Sequence, residues 1–187
     1  MKKENIGTLK EFISLVRDIL HSNEFYKMKS YRHHIKATLY DHSVKVAYLC
    51  FKHHKRFGTK TDVREFVRGA LLHDYYLYDL HGENETHRFH WFKHPGKALQ
   101  NAMKKYPSLT YSQKDMIKNH MFPLTIIPPT TKAGWLVCFY DKIAAISDRF
   151  GESRWMTGRN PYKISQKKCV YNISETNHQQ NSKIGIV

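Results

Sequence analysis

Asp62-Val63-Arg64-Glu65-Phe66-Val67-Arg68-Gly69-Ala70-Leu71-Leu72-His73-Asp74 is the stretch that decides the fold. Asp62 followed three residues later by Glu65 resembles a capping box and marks a helix start. Behind it Val63, Phe66, Val67, Ala70 and Leu71 fall at i, i+3, i+4, i+7 and i+8, one face of an α-helix. Asp74 lies four residues after Ala70 and seven after Val67, so it prolongs that apolar stripe, with His73 beside it. A carboxylate is thus aimed at the core.

The same period of 3.6 recurs on both sides. Leu9, Phe12, Ile13, Val16, Ile19 and Leu20 predict a first helix over about 8–22, with Thr8 and Glu11 as its capping box. A second is expected over about 37–55. Residues 79–93 read as a loop, and Pro95 suits the first turn of a further helix that Pro107 ends. Ser112 with Asp115 is a candidate cap for a short helix containing Met116, Ile117 and His120. Trp135 to Phe150 forms the last strong helix. No run alternates convincingly with period two, and Cys169–Ile173 is only a short strand candidate. The expected fold is all-α, one bundle of about six or seven helices over 1–150. Residues 151–187 read as an irregular basic extension.

Length and composition agree with this. A chain of 187 residues makes about one domain. Hydrophobic residues at 41% and aromatics at 13% exclude global disorder. No stretch approaches the ~20 apolar residues of a membrane-spanning helix, so no membrane partner is expected. The start lacks the apolar run of a secretory signal. Cys50, Cys138 and Cys169 are odd in number and form no CxxC pair, which argues against a disulfide framework or a cysteine zinc site. A cytoplasmic location is the expectation.

Thirteen histidines are the unusual number, and their placement carries the chemistry. His42 is four residues before Val46, His94 four before Ala98, and His120 four after Met116. Asp141 is three after Cys138 and four before Ala145. With His73 and Asp74 these make six ionisable residues predicted to point inward from separate helices or helix ends. Burying so many is costly unless they are paired or hold metal. Imidazole and carboxylate suit Fe, Mn, Zn and Ni, and a carboxylate can bridge two ions through its two oxygens.

Tyr40-Asp41-His42-Ser43-Val44-Lys45-Val46-Ala47, Ala70-Leu71-Leu72-His73-Asp74, His94-Pro95, Asn119-His120 and Tyr140-Asp141-Lys142 together resemble the HD-domain phosphohydrolase superfamily. The resemblance covers roughly residues 37–150. It implies an all-helical metal-dependent phosphohydrolase in which His42, His73, Asp74 and Asp141 hold one ion. The two further histidines, His94 and His120, match the subset that holds a second ion, which includes the HD-GYP phosphodiesterases and the HD-type diadenosine tetraphosphate hydrolases. A dinuclear site with Asp74 bridging is therefore expected, loaded with Fe or Mn first and with Zn, Ni or Mg as alternatives. Tyr75-Tyr76-Leu77-Tyr78-Asp79 follows the pair where many relatives carry a lysine. The Gly-Tyr-Pro motif is also absent, so the resemblance leaves the substrate open.

The implied reaction is attack of a metal-bound hydroxide on a phosphate ester or anhydride of a nucleotide or related metabolite. Charge fits such a substrate: 31 Lys/Arg stand against 16 Asp/Glu, a net of +15. Lys45, His81, His90, Lys142 and Arg149 are the candidate phosphate contacts. Lys45 and His90 join Asp74 as candidates for catalysis, with His90 a candidate proton donor to the leaving oxygen. The competing reading is a nucleotide-sensing or RNA-binding module on the same scaffold. The sequence leaves the oligomeric state open.

Overall fold

The structure, a computed structural model, describes residues 6–34, 37–77 and 90–149. Its elements in chain order are α1 (Ile6–Leu20), α2 (Asn23–Lys27), a 3-10 turn (Met28–Ser30), β1 (Arg32–His34), β2 (Ala37–Thr38), α3 (Leu39–Phe57), α4 (Val63–Leu72), α5 (His90–Lys105), α6 (Tyr111–Lys118) and α7 (Lys132–Arg149). The all-α expectation holds, with seven helices among the described residues. The two short strands pair antiparallel just before α3, where no sequence signal had marked them. Contacts divide the chain into one unit over Lys10–Gly151 and another made of Met1–Leu9 and Glu152–Val187. The core and the ring of helices around it belong to the first unit. The extension 151–187 and the strand candidate 169–173 lie outside the described residues.

Local chemistry sets the helix ends. Thr38 caps α3, its hydroxyl accepting from the Asp41 amide at 3.1 Å. At the other end Gly58 adopts φ +72°, a left-handed stop that a residue with a Cβ rarely takes. Asp62 caps α4 as expected, accepting from the Glu65 amide at 3.0 Å. The reciprocal half of that box is missing, because Glu65 instead accepts the Thr110 hydroxyl. Thr110 and Gln113, not Ser112 and Asp115, form the capping box of α6. Thr8 is too late to begin α1, which already runs at Ile6. Helix α5 starts at His90, before Pro95. The proline's missing N–H therefore removes a single intrahelical bond near the helix start and does not define the end.

Helices α3, α4, α6 and α7 close a ring of packed neighbours: α3 on α4, α4 on α6, α6 on α7, and α7 back on α3. Helix α5 leans on α6. The core is filled by Phe12, Val16 and Ile19 of α1, Val46, Ala47, Cys50 and Phe51 of α3, Phe66, Val67, Ala70 and Leu71 of α4, and Met116 and Ile117 of α6, all buried. Helix α7 departs from the ordinary amphipathic rule. It buries Asp141 and Asp148 with Val137 and Ala144, and leaves Trp135, Phe139, Ile143 and Ile146 exposed. Inward carboxylates with outward aromatic and branched residues invert the usual arrangement. Something stronger than apolar burial fixes the rotation of this helix.

Asp115 ties the start of α7 to α6. Its carboxylate accepts from the Thr130 amide at 3.0 Å, the Thr131 amide at 2.9 Å, the Thr131 hydroxyl at 2.7 Å and the Asn119 side-chain amide at 2.8 Å. Gly134 passes so close that a Cβ there would collide with Asp115 Oδ2 and meet Pro129 Cβ at 2.9 Å. Burial alone would raise the Asp115 pKa. The donors of Thr130, Thr131 and Asn119 outweigh it and hold the group below the ordinary carboxylate value. A depressed folded-state pKa gives stability that is present above the unfolded value of about 3.9 and is lost as pH falls through the folded value. Asp115→Ala should therefore cost about 2–4 kcal/mol at pH 7, since several donors lose their acceptor. The gap from wild type should narrow below about pH 4. Urea unfolding at pH 7 and pH 3 measures both.

Candidate metal centre

Each helix of the ring delivers one piece of the site. His42 comes from the first turn of α3, His73 is the C-cap of α4 with Asp74 next to it, His120 follows the end of α6, and Asp141 lies midway along α7. His94 comes from α5. All six are buried: His42 and His73 at 0% exposure, His120 at 1%, Asp74 at 2%, His94 at 3% and Asp141 at 7%. The sequence-predicted set thus converges in one place.

Asp74 is its centre, with one oxygen toward each side. Oδ2 lies 3.5 Å from His73 Nε2 and 3.9 Å from His42 Nε2. Oδ1 lies 3.3 Å from both His94 Nε2 and His120 Nε2. Asp141 Oδ1 completes the first side, 3.0 Å from His42 Nε2 and 3.5 Å from His73 Nε2. The two histidines of the second side approach each other, Nε2 to Nε2, at 3.1 Å. Two donor groups suit a metal ion, His42 with His73 and Asp141, and His73 with Asp74 and His120. His73 counts in both because it sits between them. The facing of the two Asp74 oxygens assigns it to the first group.

Proton placement tests whether a cation fits. His73 Nδ1 is 2.8 Å from the Ala70 carbonyl, and His120 Nδ1 is 2.8 Å from the Ile117 carbonyl. A carbonyl only accepts, so each Nδ1 carries the hydrogen, and in the neutral ring each Nε2 presents a lone pair. These are carbonyls at helix C-terminal ends, where intrahelical partners run out. The same device is used twice. His120 is kept neutral chiefly by burial, which lowers its pKa against the pull of Asp74. His73 Nε2 is buried with no hydrogen-bond partner among the described residues. Lone pairs turned on ionised carboxylates at 3.3–3.5 Å repel. A cation between them removes the conflict. Metal–ligand bonds of about 2.0–2.2 Å at tetrahedral or octahedral angles put donors roughly 3.0–3.5 Å apart, the separation found in this cluster. The residues fit divalent ions.

The carboxylates are ready for that role. Burial opposes their ionisation, yet both lie well below the usual range, Asp141 chiefly through its hydrogen bond from His42 and Asp74 through the positive charge of the cluster. His42 differs from the other rings. Burial disfavours its charge, but hydrogen bonds to Asp141 and Asp148 raise its pKa to about 10. In the ion-free chain a proton occupies the space between His42 and Asp141.

The remaining expected residues are placed differently. Lys45 sends its ammonium to Asp148, with the side chain 15% exposed. Lys142 donates to the carbonyls of His120 and Cys138, both at 3.1 Å, and so braces the turn that carries His120. Arg149 is exposed at the end of α7. His90 is the first residue of α5, its side chain outside the described set, and His81 lies outside the described residues altogether. Asp148, which sequence reasoning missed, sits seven residues beyond Asp141 on the same face. That spacing, with Lys45 three residues after His42, was the available signal.

The chain matches no protein-family model, no curated protein and no solved structure.

Asp74→Ala should lose nearly all bound metal, since its two oxygens face both donor groups. His94→Ala should lose mainly one of two ions. Elemental analysis after saturation with Mn(II) or Zn(II) reads the stoichiometry, and full retention in Asp74→Ala rejects the assignment. Saturation at a hundredfold excess over Kd should stabilise the wild-type fold by about 2.7 kcal/mol per independent site.

Proposed function

We propose that this protein is a divalent-metal-dependent phosphohydrolase of the HD type, acting on a nucleotide or a related small phosphate metabolite. The observation that carries the reading is the placement of Asp74, one oxygen toward His42 and His73 and the other toward His94 and His120, beside the buried, unpartnered Nε2 of His73. A site that only stored one structural ion would not need six buried donors split about a shared carboxylate. The resemblance of the ordered motif and the net charge of +15 favour an anionic phosphate substrate.

When bound, a pair of divalent ions supplies Lewis acidity toward a phosphoryl oxygen and lowers the pKa of water. The chain's own part is arrangement. Asp74 and Asp141 would supply the negative charge that holds the cations. His73 and His120 keep their Nε2 atoms fixed through their Nδ1 bonds to helix carbonyls. Tyr76 is buried with its ring 5.5 Å from that of His94 and packs against the second side. The low local dielectric strengthens each charge interaction with a transferring phosphoryl group.

Hydrolysis of nucleotides, dinucleoside polyphosphates and cyclic dinucleotides with Mn(II), or with Fe(II) under anaerobic conditions, tests the reading. Turnover of at least one phosphate ester is expected, dependent on metal and reduced at least a hundredfold in Asp74→Ala. RNA binding is expected to be weak. Tight RNA binding with a steep salt dependence, about −0.7 per phosphate on a log–log plot, surviving in Asp74→Ala and accompanied by no hydrolysis, would replace the enzyme with a binding module.

A further inference from the structure

Asp148 has no place in the six-donor set, yet it is 6% exposed and spends both oxygens on the His42 side of the site. Its Oδ2 lies 2.9 Å from His42 Nδ1, and its Oδ1 accepts from the Lys45 ammonium. Two other rings of the site, His73 and His120, each use a backbone carbonyl three residues earlier. His42 cannot do this. It lies within α3, which runs on to Phe57, so the carbonyls before it are engaged in the helix. Its Nδ1 needs an acceptor from another helix, and α7 supplies one two turns beyond Asp141.

We propose that Asp148 is a positioning residue of the metal centre, fixing the His42 ring so that Nε2 faces Asp141 and Asp74, with Lys45 neutralising its other oxygen. The proposal rests on the metal-centre reading above. A carboxylate is acceptor-only, so the hydrogen stays on His42 Nδ1 and the lone pair of Nε2 is delivered to the ion. Lys45 explains why Asp148 does not act as a seventh ligand. Both oxygens of Asp148 are already engaged, one by His42 and one by Lys45, whose ammonium comes from α3 one turn from His42. Lys45 thereby serves the site through Asp148, a role different from the phosphate contact that its sequence position suggests. An ordinary α3–α7 ion pair would stabilise the fold and leave ion affinity untouched; this arrangement would also strengthen ion binding.

The test is a zinc titration of the full chain against a competing chromophoric chelator, run beside thermal unfolding of the ion-free protein. Asp148→Ala should weaken the ion held by His42, His73 and Asp141 by about 10–100-fold, while the ion on the His94 and His120 side keeps its affinity. Asp148→Asn retains an acceptor for Nδ1–H and the side-chain shape. It should fold like wild type and weaken the same ion by about tenfold, the low end of that range. This variant carries the test if the alanine form does not fold. In the zinc-loaded wild type the 15N resonances of the His42 ring should show a protonated Nδ1, and Asp148→Ala should broaden or shift them. Wild-type zinc affinity in either folded variant overturns the proposal. A wild-type chain that binds no zinc, manganese or iron removes the metal-centre reading itself, and the proposal falls with it.

Discussion

Asp74 places a buried negative charge among four imidazole nitrogens, and the bundle is arranged to make that tolerable. A carboxylate at 2% exposure has lost its water and is stable only where positive charge or donors replace it. The ring of α3, α4, α6 and α7 brings one or two nitrogens or oxygens from each helix to the same few ångströms. The inverted polarity of α7 follows. Turning Trp135, Phe139, Ile143 and Ile146 inward would gain apolar burial, but it would carry Asp141 and Asp148 out of the site. The rotation of α7 is set by its two acids.

Much of the site was legible because helical periodicity fixes which face a residue occupies. His42, Asp74, His120 and Asp141 each fell three or four residues from a core hydrophobe, and each is buried. The HD pair was legible as the end of an apolar stripe. What failed were decisions between equivalent local signals. Thr110-x-x-Gln113 and Ser112-x-x-Asp115 are both capping patterns, and only tertiary structure shows that Asp115 is committed to Thr130 and Thr131. Pro95 fits a helix start and is also tolerated one turn in, so it could not define where α5 begins.

The basic side chains were harder still. Lys45, Lys142 and Arg149 had equal claims as phosphate contacts by charge and spacing. The fold separates them: Lys45 serves Asp148, Lys142 braces carbonyls at the His120 turn, and Arg149 is exposed. Long flexible side chains are assigned by acceptors that come from other helices, which a linear pattern does not contain. Asp148 was overlooked for the same reason. Its importance lies in the lack of a spare carbonyl at His42, a property of the neighbouring helix and not of Asp148 itself.

The twin bonds from His73 to the Ala70 carbonyl and from His120 to the Ile117 carbonyl have a further consequence. Each of these two candidate ligand rings is tethered to the last turn of its own helix, so fraying of that turn would tilt the ring away from the centre. Helix-end order and occupancy of the centre are then two views of one equilibrium. An ion that drew the rings together would slow amide hydrogen exchange at the C-terminal turns of α4 and α6. Those two short stretches of backbone become internal reporters of whether the centre is filled.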